Sequence, residues 1–411
     1  MSVPMAVPGP DVVDRPALVR CVGPDVDAFA SDNWGKAPLL RKATGTFDDL
    51  LTLRDIDELL SERGLRTPFL RMARAGQVLD SSQFTSGGGV GAEVGDQVAD
   101  EKVLRLFGDG ATVVLQGLHR VWPSLIEFGT QLGTDLGHPV QINAYVTPAS
   151  SQGFSAHYDV HDVFVLQVAG EKHWHVHAPV HPDPLRNQPW SGHADAVARR
   201  ATEPPVIDEV LRPGDVLYLP RGYLHSATAL GAVSAHLTVG VHVLTRFAIV
   251  EALCAMAASA AELRGTLPLG IDVGDPRQLG PHVEDTIAEL ARTLKELDPA
   301  EVADRLRGRQ WSGNRPAPLG PLAQLAAADE LGEGSRVRVR SGLRHRLVAD
   351  GDRARLDLPG DRLWLPSAAT EALGVLLSGA VATVGTLPAL DLADQLVVVR
   401  RLLREGVLVP A

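Results

Sequence analysis

Between residues 111 and 245 the chain is a succession of short β-branched runs cut by glycine and proline, and this pattern limits the fold more than any other feature of the 411 residues. The runs lie at 111–115, 140–146, 163–168, 172–177, 215–219 and 235–241. Residues of this type fit a pleated, half-buried surface, and many short strands at close spacing predict an antiparallel sandwich or barrel. One helix, at 121–136, interrupts them. Upstream, residues 1 to 110 read as irregular with short helices, for example 52–60, where Thr52 can cap. Downstream, 246–264 and 284–308 return to helical periodicity, and Pro316-Ala317-Pro318 reads as a linker. The remainder mixes helices (319–330, 367–377, 389–405) with strands near 336–340, 344–348 and 362–365, and Gly406 fits a C′ position. That mixture suggests a small winged-helix-like module.

Composition removes several function classes. With 39 basic against 50 acidic residues the net charge is −11, which argues against wholesale nucleic-acid binding. The two cysteines, Cys21 and Cys254, fit no zinc or redox spacing, so a reducing cytoplasm is expected. The first eight residues lack a basic and then apolar signal pattern, and no run approaches the ~20 apolar residues of a membrane span, so neither export nor membrane insertion is expected. The glycine-rich stretch 85–91 has Val94 where a dinucleotide loop would need a third glycine and no Gly-Lys-Ser/Thr after it, so it reads as a surface loop.

Ten of the 14 histidines fall between His157 and His242. Within that window His157-Tyr158-Asp159 is followed by His225, after the strand-turn segment 214–224. Positions 157 and 159 share a face if they lie on a strand, so the pair can grip one ion while a distant strand supplies the third ligand. Two histidines and a carboxylate on one face form the facial triad of non-haem Fe(II) enzymes, which leaves neighbouring positions open for a co-substrate and dioxygen. Other ligand sets compete: His161 lies four residues after His157, and His173, His175 and His177 alternate on a strand where an exposed sheet face is expected. Only five lysines occur, against 34 arginines, and Lys172 opens the strand after the turn 169–171. An ammonium there could neutralise the distal carboxylate of 2-oxoglutarate.

The block from Ile142 to Asp159, continuing from Asp162 to Trp174, resembles the JmjC-type cupin oxygenases grouped as ribosomal oxygenases, and 33–40 (Asn-Trp-Gly-Lys-Ala-Pro-Leu-Leu) resembles an N-terminal segment of the same family. The resemblance implies a mainly β double-stranded β-helix (cupin jelly-roll) catalytic domain over 1–245, a helical dimerisation region over 246–315 and a winged-helix-like domain over 316–411. It implies His157, Asp159 and His225 as Fe(II) ligands and Lys172 as the anchor for 2-oxoglutarate. Thr238 matches a hydroxyl position near the same carboxylate. Asn143 and Tyr145 match residues on the strand lining the substrate side, Asn143 close to the co-substrate as well. The implied activity is hydroxylation of an arginine or histidine side chain of a protein or peptide, such as a ribosomal protein, by a cytoplasmic homodimer.

Three other readings stay open. The His/Pro-rich segment 177–205 has its own loop architecture, where specificity would be set, so a tailoring hydroxylase of a biosynthetic peptide or an RNA base fits as well. The arginines at 336, 338, 340, 344 and 346 would suit a nucleic-acid-binding regulator with a sensory cupin, although alternate arginines on a strand more often form one solvated face. Zinc or manganese on the same triad, without 2-oxoglutarate, is the third.

Overall fold

The computed structural model describes residues 15–74, 76–313 and 315–411, so the reading of the first eight residues lies outside it. The chain divides into two compact units, one running to Val243 with Pro316–Pro318, the other Leu244–Arg315 with Leu319–Ala411. No helix among the described residues is long and apolar enough to cross a membrane.

The first unit holds β1 (Leu39–Arg41), β2 (Leu70–Arg74), β3 (Gln77–Val78), β4 (Thr85–Ser86), β5 (Gln97–Val98), β6 (Thr112–Leu115), β7 (Val140–Thr147), β8 (Asp162–His177), β9 (Ile207–Leu211), β10 (Val216–Leu219) and β11 (Leu224–Val241). Nine of them form one antiparallel sheet in the order β1-β10-β8-β11-β7-β6-β2-β3, with β9 paired to β8. β4 and β5 pair separately, so part of the glycine-rich stretch is a short strand and the rest turns.

The two longest strands depart from the sequence reading. The runs at 163–168 and 172–177 were expected to flank a turn at 169–171; they are one strand, β8, that bends without breaking. Gly170 makes this possible: its φ is +61°, and a Cβ there would lie 2.2 Å from the carbonyl oxygen of Val233. The partner strand absorbs the bend with a register shift between Leu230 and Ala235. β8 therefore pairs with β10 through Val163–Leu166 and with β9 through Lys172–Val176, while β11 accompanies it along both halves. The strand-turn segment 214–224 is β10 with the turn that follows it, and His225 is the second residue of β11.

Burial alternates along β7, where Ile142, Ala144 and Val146 enter the core and Gln141, Asn143 and Tyr145 face the other way. The helix Pro123–Leu136 covers the apolar side with Leu125, Phe128 and Leu132. Near the N-terminus, Thr52 caps the helix Leu53–Ser61 in a reciprocal box with Asp55, as its sequence suggests. Trp34 stacks on Tyr218, ring centroids 5.9 Å apart, and the Gly35 amide donates to the Tyr218 hydroxyl at 2.8 Å. That hydroxyl donates in turn to the fully buried Asp162 at 2.6 Å, so the 33–40 segment is tied to the barrel wall.

In the second unit the segment 246–315 holds the helices Arg246–Ala257, Pro276–Glu296 and Pro299–Gly313; the stretch expected at 246–264 stops at Ala257 and resumes only as a single turn at Glu262–Arg264, and that expected at 284–308 is interrupted at 297–298, before Pro299 opens the next helix. Beyond it lie β12 (Arg336–Val339), β13 (Arg346–Asp350), β14 (Arg353–Leu358), β15 (Asp361–Pro366), β16 (Ala382–Thr383) and β17 (Leu408–Pro410), in two three-stranded sheets ordered β16-β12-β17 and β13-β14-β15. β14 was not read from the sequence. The helix Leu392–Arg404 packs its Val398, Val399, Leu402 and Leu403 into the core of this module, and Gly406 (φ +67°) follows it as expected.

Candidate metal and co-substrate centre

His157 precedes β8 and is joined to the first turn of β11 by a reciprocal backbone bridge: its amide donates to the His225 carbonyl at 3.2 Å and accepts at its own carbonyl from the His225 amide at 2.8 Å. This bridge sets the two imidazoles side by side, centroids 4.5 Å apart. Asp159 is held by its own carbonyl, which accepts from the amide of Gly222 at 3.0 Å. Gly222 has φ +90°, and a Cβ there would approach the His181 carbonyl oxygen to 2.8 Å, so the turn before β11 is built around a glycine.

One ligand atom from each of His157, Asp159 and His225 lies within 4.8 Å of the others. The approach of His225 Nε2 to Asp159 Oδ2 is 3.7 Å. His157 Nδ1 donates to the Ser155 carbonyl at 2.7 Å and His225 Nδ1 to the Tyr223 carbonyl at 3.2 Å. These bonds fix the proton on Nδ1 and turn an unprotonated Nε2 inward, as a ligating imidazole requires. Burial, with His157 alongside, pushes the His225 imidazole down to about 4, which keeps it neutral. Burial pushes the Asp159 carboxyl up, but the imidazoles of His161, His225 and His157 outweigh it and hold the group below the usual range. A neutral imidazole at His225 and a carboxylate at Asp159 are the protonation states in which these side chains bind a metal. His161 stays outside the group, edge-on to His242 at 5.4 Å.

The triad opens into a cavity of about 290 Å³ whose lining includes Arg71, Tyr145, Lys172, Trp174, His236 and Thr238. Lys172 is only 4% exposed, and its ammonium donates to the Thr147 hydroxyl at 2.9 Å without an ion pair among the described residues. Burial lowers it from 10.5 to about 7. A buried cation with a neutral partner, facing a cavity, is suited to receive an anion. The buried Trp174 Nε1, His236 Nδ1 and Arg71 Nε also lack hydrogen-bond partners. Tyr145 stacks on His236, centroids 5.2 Å apart, and burial raises its hydroxyl to about 12. Phe154 and Trp190 flank His157.

Six of the seven residues singled out from the sequence line this cavity: His157, Asp159, His225, Lys172, Thr238 and Tyr145. Asn143 does not; its Oδ1 accepts from the Gly117 amide at 3.0 Å and its side chain also bonds Tyr145. Sequence reasoning missed Thr147, which bonds Lys172 and is joined to Thr112 at 3.2 Å. It also missed Trp174, His236 and Arg71. Period-two spacing could have found the first three, two residues along from Tyr145, Lys172 and Thr238 respectively; nothing in the sequence marks Arg71. The alternating histidines are not one exposed face, since His177 is buried and bonds the Glu203 carbonyl at 3.0 Å. A larger groove of about 510 Å³ between the helices Leu53–Ser61 and Asp100–Gly108 is apolar with an acidic rim, and it assembles no ligand set.

Residues 130–248 match the JmjC domain model. The chain is 28% identical over 270 residues to the bifunctional lysine-specific demethylase and histidyl-hydroxylase NO66 of Aedes aegypti, covering 63% of this chain and 41% of that protein. It is 31% identical over 255 residues to its namesake of Drosophila grimshawi, covering 60% and 34%. The chain thus spans less than half the length of these relatives. Among solved structures, the Escherichia coli ribosomal oxygenase YcfD superposes with a TM-score of 0.55 at 18% identity, over 94% of this chain and 98% of its own. YcfD in complex with cobalt and 2-oxoglutarate gives 0.52 at 20% identity over the same shares. Sequence match and fold agree: residues 130–248, which contain the triad and Lys172, match a JmjC domain within a cupin-type fold.

Proposed function

We propose that the protein is an Fe(II)- and 2-oxoglutarate-dependent oxygenase that hydroxylates an arginine or histidine side chain of a protein or peptide, such as a ribosomal protein. The observation that carries this reading is the pairing, in one cavity, of a two-histidine, one-carboxylate triad with a buried lysine that lacks a counter-ion. The donor set suits iron: three ligands leave adjacent positions for a chelating co-substrate and dioxygen. Bound there, iron with 2-oxoglutarate and dioxygen supplies a decarboxylation-coupled oxidant able to hydroxylate an unactivated C–H bond.

The chain's own residues then have separate tasks. His157, Asp159 and His225 hold the ion, and the Ser155 and Tyr223 carbonyls hold the imidazoles in the ligating tautomer. Lys172, bonded to Thr147, takes the distal carboxylate of 2-oxoglutarate, and Thr238 lines the same cavity. The stacked Tyr145 and His236 form a wall of the same cavity, with Asn143 bracing Tyr145. Trp190 and Phe154, whose rings flank His157 in the lining, contact a side chain presented to the metal.

The test is succinate formation from 2-oxoglutarate with Fe(II), followed by a search for a one-oxygen mass gain on candidate peptides. His157→Ala is expected to abolish metal-dependent turnover. Absence of both turnover and 2-oxoglutarate binding in the parent chain contradicts the reading, and leaves zinc or manganese chemistry on the triad. The same reading includes a cytoplasmic homodimer formed through 246–315 and a winged-helix-like fold for 316–411; solution mass tests the dimer.

A further inference from the structure

The outer face of the barrel carries a second ligand set that the oxygenase reading does not use. His173 and His175 alternate on β8, on the side away from Lys172 and Trp174, and Asp208 stands directly across from His175 on β9. One ligand atom from each of the three lies within 4.8 Å of the others. His173 Nε2 donates to Asp208 Oδ1 at 2.6 Å, and His175 Nε2 lies 3.4 Å from the same oxygen. The two rings are 4.3 Å apart. Ligand atoms at about 2.0–2.1 Å around a tetrahedral zinc stand about 3.3 Å from one another, so small side-chain rotations convert this cluster into a coordination shell.

We propose that His173, His175 and Asp208 form a second metal site, taking a divalent cation of the zinc class with water completing the shell. Imidazole nitrogen and carboxylate oxygen are both established donors to such ions. The imidazoles are 34% and 38% exposed, which leaves each Nδ1–H free to reach water once Nε2 is ligated. The site also has a mechanical consequence. In the sheet β9 pairs only with β8, so an ion shared by Asp208 and the two histidines clips an edge strand to the barrel.

The experiment is equilibrium dialysis of the full metal-free chain against Zn²⁺, with bound zinc measured per chain. The parent is expected to hold two equivalents. His173→Ala/His175→Ala is expected to lose one, and His157→Ala/His225→Ala to retain the one that vanishes when all four substitutions are combined. Asp208→Asn, which keeps the shape of the side chain, is expected to weaken the outer equivalent at least tenfold. His173, His175 and Asp208 are partly exposed, and an unchanged far-UV circular dichroism spectrum of each variant confirms that the fold persists. Loss of an equivalent on the His173/His175 substitution supports the site whatever the triad variants do, so the two readings fail separately. Unchanged stoichiometry in the folded His173→Ala/His175→Ala chain overturns it.

Discussion

At the residue scale the most informative side chain is Lys172. Burial lowers it from 10.5 to about 7, whereas the proposed role needs it charged. Affinity for 2-oxoglutarate should therefore be full below pH 7 and fall as pH rises above it, with proton uptake on binding; calorimetry in two buffers of different ionisation heat measures both. Lys172→Ala should weaken 2-oxoglutarate about ten- to a hundredfold, the equivalent of about 1.5–3 kcal/mol for a charge-assisted contact, while leaving metal binding intact. Equal loss of metal binding would contradict the assigned role. The same burial acts on stability. The unfolded lysine binds a proton up to about 10.5 and the folded one only to about 7, so the unfolded state holds more protons in that window and stability rises with pH across it. Lys172→Met should then raise Tm at pH 6 while losing 2-oxoglutarate, a stability gain bought with function. The triad and Lys172 were legible because rare residue types at fixed spacing mark them. The bond from Lys172 to Thr147 and the presence of Arg71 in the cavity wall were not, because a threonine in a strand and an arginine in this arginine-rich chain carry no compositional signal.

At the scale of elements, periodicity and punctuation located β6, β7, β8, β10 and β11 but not β1, β2 and β3, which fall in the stretch read as irregular, nor β9, and they misjudged the two strands that organise the barrel. A glycine between β-branched runs reads locally as a turn. Whether the strand breaks or bends there is decided by a neighbour more than sixty residues away, since the Val233 carbonyl occupies the space where a side chain at 170 would stand. Gly170→Ala should thus cost at least about 2 kcal/mol, combining a left-handed backbone penalty of about 1–2 kcal/mol with displacement of that carbonyl. In a unit of this size that corresponds to a drop of about 4–8 °C in Tm. Because Lys172 lies just beyond the bend, weaker 2-oxoglutarate binding should accompany the drop. A chain with unchanged Tm would show that the bend is carried by β11 alone. The unread strand β14 has a related cause: its segment, Arg353–Leu358, is half charged and lacks the continuous apolar signature of the barrel strands, and pairing on both sides by β13 and β15 makes it a strand.

At the scale of the whole molecule the net charge of −11 bears on partners, not on fold. The arginines that tempt a nucleic-acid reading are mostly engaged elsewhere, and the exposed pair shares one face of a short strand. Arg336 and Arg338 are exposed on β12 while Val337 between them is buried. At the end of the last long helix, Arg400 donates to the Ala328 carbonyl at 3.0 Å, Arg401 to the Trp364 carbonyl at 3.0 Å and Arg404 to Asp329 at 3.0 Å. Duplex binding needs several cations aimed together at phosphates, and its affinity falls steeply with salt as counter-ions are released. The full chain should therefore give no shifted band with random duplex DNA at physiological ionic strength. A basic peptide substrate should show the opposite dependence on charge, with KM rising as salt screens its attraction to an acidic surface. A DNA complex that forms at physiological salt and dissolves as salt is raised would restore the regulator reading and make the arginines of β12 the first residues to replace.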